Sequence, residues 1–186
     1  MQMGRLIAAI VVVAMAWLVP ATWVGQTDER LDALFDRLKT TDSETEAVTL
    51  TYQIWMIWRE SESDVVNTLM TRGIEETSHR DYEAAVTTFS QVIELEPGLA
   101  EGWNRRATVY YLMGEYEASV RDIERTLALE PRHFGALSGL GFIYLRLGDD
   151  QAALQAFEAA LKINPYLPGA RARAEELRRR QRRESI

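Results

Sequence analysis

Pro97, Pro131 and Pro165 stand 34 residues apart, and each closes a segment with the same order of small, aromatic and apolar residues. A fixed period of this length marks a stacked array of helix hairpins, because one such unit cannot bury its apolar face alone and must lean on a neighbour. The spacing therefore constrains the chain to an all-α fold built from tandem units. It points to a class of work, an interaction scaffold, without naming what is bound.

The third unit carries the pattern most fully: Leu137, Leu140, Gly141 and Tyr144 on its first helix, Ala153 and Phe157 on its second, then Pro165. The second has Trp103, Ala107, Tyr110, Ile123 and Pro131, with Arg106 where a leucine is expected and Ser119 where an alanine is expected. The first has Leu69, Gly73, Ala85, Phe89 and Pro97, but Arg72 and Glu76 replace a leucine and a tyrosine, and Arg80 takes the place of a turn glycine. Over residues 66 to 167 the chain resembles the tetratricopeptide repeat family, with units at 66–99, 100–133 and 134–167. The resemblance implies a right-handed superhelical solenoid of helix hairpins. Gly73, Ala107, Gly141, Ala85 and Ala153 fall where helices approach closely and a larger side chain would overpack. Tyr82, Tyr116, Phe89 and Phe157 fill the space between, and Gly114 and Gly148 supply permissive backbone at the turns.

Residues 1–21 read as an export signal: Arg5, an apolar run from Leu6 to Val19, then Val19-Pro20-Ala21 as a cleavage site. Fourteen apolar residues suit a signal core and are short of the roughly 20 that span a membrane. Cleavage after Ala21 would place the chain in the periplasm, and an uncleaved anchor running on through Thr22-Trp23-Val24 would hold it to the inner membrane facing the same compartment. Cysteine is absent, so stability comes from packing and not from disulfides. A hydrophobic content of 47% supports a real core.

Residues 28–62 read as a degenerate N-terminal hairpin. Leu31, Leu34, Phe35 and Leu38 have helical spacing, and Ser43-Glu44-Thr45-Glu46 is a capping-box start for a second helix. Val48, Leu50, Tyr52 and Ile54 alternate with polar residues as in a strand. Helix is nonetheless expected, since a lone strand beside a helical array has no pairing partner. Trp55 and Trp58 are expected to seal the array by packing on the first repeat. Residues 168–186 form an arginine-rich capping helix and tail with Ala170, Ala174 and Leu177 on one face. From residue 171 on, seven arginines against three glutamates leave +4, so the part before it carries −11 of the chain's net −7.

That acidic body disfavours nucleic acid, whose binding needs clustered cations; the arginine tail and residues 1–24 are the segments suited to membrane contact. His79 and His133, the two histidines, fall at helix ends and are expected at the surface, with no ligand spacing for a metal. Asp149-Asp150 reads as a helix start, and the glycines 135, 139 and 141 lack the strand-loop-helix setting of a phosphate loop. No nucleophile, base and orienter stand in a recognisable constellation, so no catalytic residue, metal or cofactor is assigned and no enzyme is expected.

In tetratricopeptide proteins the first helix of each hairpin lines a concave groove that takes a protein or peptide ligand. Carried over by position, that groove would be lined by Asn67, Met70, Ile74 and Thr77, then Glu101, Asn104, Thr108 and Tyr111, then Gly135, Ser138, Phe142 and Leu145. Each set recurs at steps of three or four and so shares a helical face. Asn104 alone matches the clamp that some members use for a peptide carboxylate. Met70, Ile74, Tyr111, Phe142 and Leu145 suit an apolar or amphipathic segment. Two readings stand: an open groove that takes a partner, or one filled by the chain's own N- or C-terminal helix.

Overall fold

The computed structural model describes residues 28–184, and the export signal or anchor expected over residues 1–24 lies outside them. Within that range the chain forms helices α1 (Glu29–Thr40), α2 (Glu44–Arg59), α3 (Asp64–Ser78), α4 (Tyr82–Leu95), α5 (Ala100–Met113), α6 (Tyr116–Leu129), α7 (Phe134–Leu147), α8 (Asp150–Ile163) and α9 (Pro168–Glu184). Among the described residues there is no strand, and no helix is long and apolar enough to cross a membrane. The alternating stretch from Val48 is helical within α2, which starts where Ser43 accepts the Glu46 N–H.

The helix starts follow from capping chemistry. Asp28, Ser63, Asp81 and Asp149 accept N–H groups of α1, α3, α4 and α8, satisfying donors that a helix leaves free at its first turn. Gly114 and Gly148 end α5 and α7 at φ 83° and 79°, the left-handed geometry glycine adopts without penalty. The corresponding turn of the first repeat has Arg80, which is forced to φ 62°.

The three hairpins α3/α4, α5/α6 and α7/α8 pack in sequence, and α9 closes the far end. Close approach is made by missing side chains: a Cβ on Gly73 would stand 2.7 Å from the Phe89 ring, and one on Gly141 2.7 Å from the Phe157 ring. Departures from the repeat pattern compensate one another. Arg106 donates from Nε and Nη2 to Asp122 at 2.8 and 2.9 Å and from Nη1 to Ser90 at 2.9 Å, tying α5 to α6 and α4. Ser119 donates to the Ala107 carbonyl at 2.7 Å, and Arg72 pairs with Glu76 at 2.7 Å. On α9, Ala170, Ala174 and Leu177 are buried against Ala153, Leu154 and Phe157, while Arg178 and Arg180 reach Glu158 and Asp150.

The N-terminal hairpin α1/α2 differs from expectation. It does not extend the array by sealing the first repeat with Trp55 and Trp58; both tryptophans pack instead at the start of the third repeat, on His133 and Phe134. Tyr166 donates its hydroxyl to the Thr41 carbonyl at 2.6 Å, and Asn164 donates to Thr51 at 2.9 Å. At the other end of α2, Ser61 bonds Glu96. Successive parts of the hairpin thus meet the loops after the third, second and first repeats, so α2 runs against the order of the repeats. The cause is chemical: Leu31, Phe35, Leu38, Ile54 and Trp58 share one apolar core with Phe134, Ile163, Tyr166 and Leu167.

Candidate functional site: the groove and its internal occupant

Trp58 is fully buried with its indole stacked on the His133 ring, centroids 4.0 Å apart and planes 11° from parallel. His133 is also fully buried, contrary to the surface position expected of it. Its Nδ1 accepts the Ala136 N–H at 3.1 Å and caps α7, so the proton sits on Nε2, which donates to Glu101 at 3.0 Å. Glu101, itself with no exposed surface, also accepts from Asn104 at 2.8 Å and from Arg105 at 2.6 Å. Burial alone would push the Glu101 carboxyl up, but the Arg105 guanidinium, with the bonds from His133 and Asn104, holds it below its ordinary value. Arg105 in turn lies 5.7 Å from the Trp55 ring centroid.

The neighbouring residues complete the seat. Arg132 lies 4.5 Å over the Phe35 ring, donates to Asp32 at 2.5 Å and is held by Glu130 at 3.0 Å. Gly135 leaves the room that Trp55 needs, since a Cβ there would stand 2.5 Å from the indole edge. The run Arg132-His133-Phe134-Gly135 is therefore a docking surface for the hairpin, beside Ile163, Tyr166 and Leu167.

The groove residues fall into buried and open sets. Met70, Glu101 and Asn104 are buried, and Gly135 is covered by Trp55. Asn67 and Met70 line a cavity of about 830 Å³ between the hairpin and α3, together with Leu34, Met56 and Arg59. Ile74 and Thr77 are half-buried further along α3, where Thr77 donates to the Gly73 carbonyl at 2.7 Å. Thr108, Tyr111, Ser138 and Phe142 line a second cavity of about 440 Å³ between α5 and α7, bounded by Trp55 and Leu167. Tyr111, Phe142 and Leu145 continue into a third, of about 300 Å³, whose wall is Arg146, Arg173 and Arg180 with Asp150 and Glu176. The open part of the groove is thus a trough over the second and third repeats, apolar at one end and mixed in charge at the other. Among the described residues no group of three or more His, Cys, Asp or Glu is placed to hold a metal.

The comparisons with known proteins bear on this geometry. Residues 104–168 match the tetratricopeptide repeat family. A TPR repeat-containing protein of Rhizobium etli is 41% identical over 86 residues, 46% of this chain and 42% of that protein, so the match spans less than half the length of that relative. Among solved structures, the Sgt2 TPR domain from Aspergillus fumigatus aligns with a TM-score of 0.61 at 20% identity, over 66% of this chain and 83% of that one. The Yersinia enterocolitica type III secretion chaperone SycD, in complex with a peptide of the translocator YopD, aligns with a TM-score of 0.59 at 13% identity, over 64% and 97%. At these identities the tetratricopeptide likeness of the solved structures is one of fold.

The network around His133 is the feature that sequence reasoning missed. A signal for it was present: in the 34-residue register His133 corresponds to Leu99 and Leu167, and an apolar residue in both neighbouring units marks an inward position.

Proposed function

We propose that this chain is a non-enzymatic interaction scaffold that holds an apolar or amphipathic segment of an envelope protein in the trough between α5 and α7. The observation that carries the proposal is the cavity of about 440 Å³ that stays open beside the docked hairpin, lined by Thr108, Tyr111, Ser138 and Phe142. Such a slot accepts one or two apolar anchor side chains, and the adjoining arginines and carboxylates offer hydrogen bonds to the rest of a segment. The peptide complex of SycD supports a ligand on this kind of fold. Export through residues 1–21 would set this binding in the periplasm.

The test is crosslinked capture from the native envelope, comparing the wild type with Thr108→Arg. Thr108 is exposed on α5, so a long cation there fills the trough without opening the core. Phe142 is a poorer choice, because it packs edge-on against Phe157 with centroids 5.1 Å apart. A protein recovered by the wild type and lost with Thr108→Arg identifies the partner; equal recovery would overturn the trough as its site.

A second reading rests on the apolar run from Leu6 through Val24: kept uncleaved, it would make the chain a membrane-held assembly factor for an envelope complex. Release of the native protein by carbonate would exclude it.

A further inference from the structure

The cavity of about 830 Å³ between the N-terminal hairpin and α3 is separate from the trough over the second and third repeats, with which it shares no lining residue. Leu34 of α1, Met56 and Ile57 of α2 and Met70 of α3 line it with apolar surface from three helices. Methionine is unbranched and adapts its shape, so Met56 and Met70 suit a flexible apolar occupant. The volume is that of a small-molecule site.

The polar groups of the cavity differ in whether they are already engaged. Arg30 donates to Asp28 and Glu60, Asn67 exchanges two bonds with the Ser61 backbone, and Thr71 donates to the Asn67 carbonyl. Arg59, the last residue of α2, makes no side-chain hydrogen bond or ion pair among the described residues. Its Nε is enclosed by the chain's own packing, whereas its terminal nitrogens are not, so they form the open side of the cation. The negative pole of α2 favours a cation at this end of the helix, but it satisfies none of the guanidinium's donors.

We infer that this cavity binds an amphiphile with a single carboxylate, its apolar chain lying along Leu34, Met56, Ile57 and Met70 and its head paired with the terminal nitrogens of Arg59. A guanidinium holds a carboxylate through two parallel hydrogen bonds. One negative charge is the limit, because Glu60 also borders the cavity and already takes up the charge of Arg30. A peptide segment fits less well: its backbone brings a donor and an acceptor at nearly every residue, while Arg59 and Gln53 are the lining side chains with polar groups left unbonded. Along α2 the lining runs from Gln53 to Glu60, about 10 Å of helix, which matches a chain of medium length.

The experiment is calorimetric titration of the native protein with decanoate, with decanol and with decyltrimethylammonium. Decanoate should bind one to a chain with a dissociation constant on the order of 10–100 µM, about tenfold or more tighter than decanol, and the cationic amphiphile should not bind. Arg59→Gln should weaken decanoate about tenfold and leave decanol unchanged. Arg59→Lys should recover part of that loss, since it keeps the charge without the planar fork. Met56→Glu, at a position 45% exposed, should also weaken decanoate with the helix content unaltered. Thr108→Arg, which fills the trough, should not affect it. Equal affinities for decanoate and decanol, or decanoate binding that Arg59→Gln leaves unchanged, would overturn the inference. So would loss of decanoate binding with Thr108→Arg, or no saturable binding at millimolar decanoate.

Discussion

Trp58 and His133 lie 75 positions apart in sequence, yet their rings stack at 4.0 Å in a site closed to solvent, and the histidine spends both nitrogens on partners behind the stack. This pairing turns the N-terminal hairpin from an extra unit of the array into a part of its groove.

Replacing His133 by Ala removes the stacking surface and the α7 cap and leaves the Glu101 carboxylate short of a donor in a buried site. The expected loss is about 2–4 kcal/mol of stability, read by denaturant unfolding. His79→Ala, at an exposed position, should stay within about 0.5 kcal/mol.

Gly135→Ala should move the hairpin without unfolding the repeats. The new methyl group meets the far edge of the Trp55 ring, so the indole must swing toward the trough. A shift in tryptophan fluorescence with a cost of roughly 1–2 kcal/mol is expected; an unaltered spectrum would show that Trp55 is not seated there in solution.

Arg80→Gly should stabilise the protein. A non-glycine residue at φ 62° pays roughly 1–2 kcal/mol in left-handed strain, and glycine returns part of that in chain entropy. The net gain of about 0.5–1 kcal/mol corresponds to a melting temperature higher by roughly 1–4 °C for a chain of this size.

Acid should loosen the hairpin seat. Glu101 is held below its ordinary 4.5 in the folded chain, so it contributes stability that is fully present above that value and is lost as pH falls through the lower, folded one. Unfolding free energy measured between pH 6 and pH 3 should therefore decline less steeply in Glu101→Gln than in wild type, whatever its absolute stability.

The fold was legible because its determinants repeat. Proline, glycine and alanine at 34-residue intervals specify turns and close approaches that any single unit would leave ambiguous, and the capping serine at position 43 settled α2 as helix despite its alternating pattern. The groove was legible only in part. Thr108, Tyr111, Ser138 and Phe142 do line an open trough, but Met70, Glu101 and Asn104 are committed to neighbours inside the chain. Met70 lies in the core of the first repeat, whereas the fate of Glu101 and Asn104 depends on where the hairpin docks, and that choice is made by the surface around Phe134, some 75 to 100 residues away. Local spacing carries no information about such a distance. The burial of His133 is masked by its polarity, while the 34-residue register shared with Leu99 and Leu167 points inward.

Because the N-terminal hairpin runs against the repeat order, the bonds it makes join residues 125, 113 and 100 positions apart: Thr41 with Tyr166, Thr51 with Asn164, and Asp32 with Arg132. An ordinary solenoid couples only nearest neighbours and can fray from either end, unit by unit. Here the first and last thirds of the chain hold each other, so loss of the terminal repeat would also cast off the N-terminal hairpin. The domain should melt in one cooperative step, and it should fold more slowly than a purely local array of the same size.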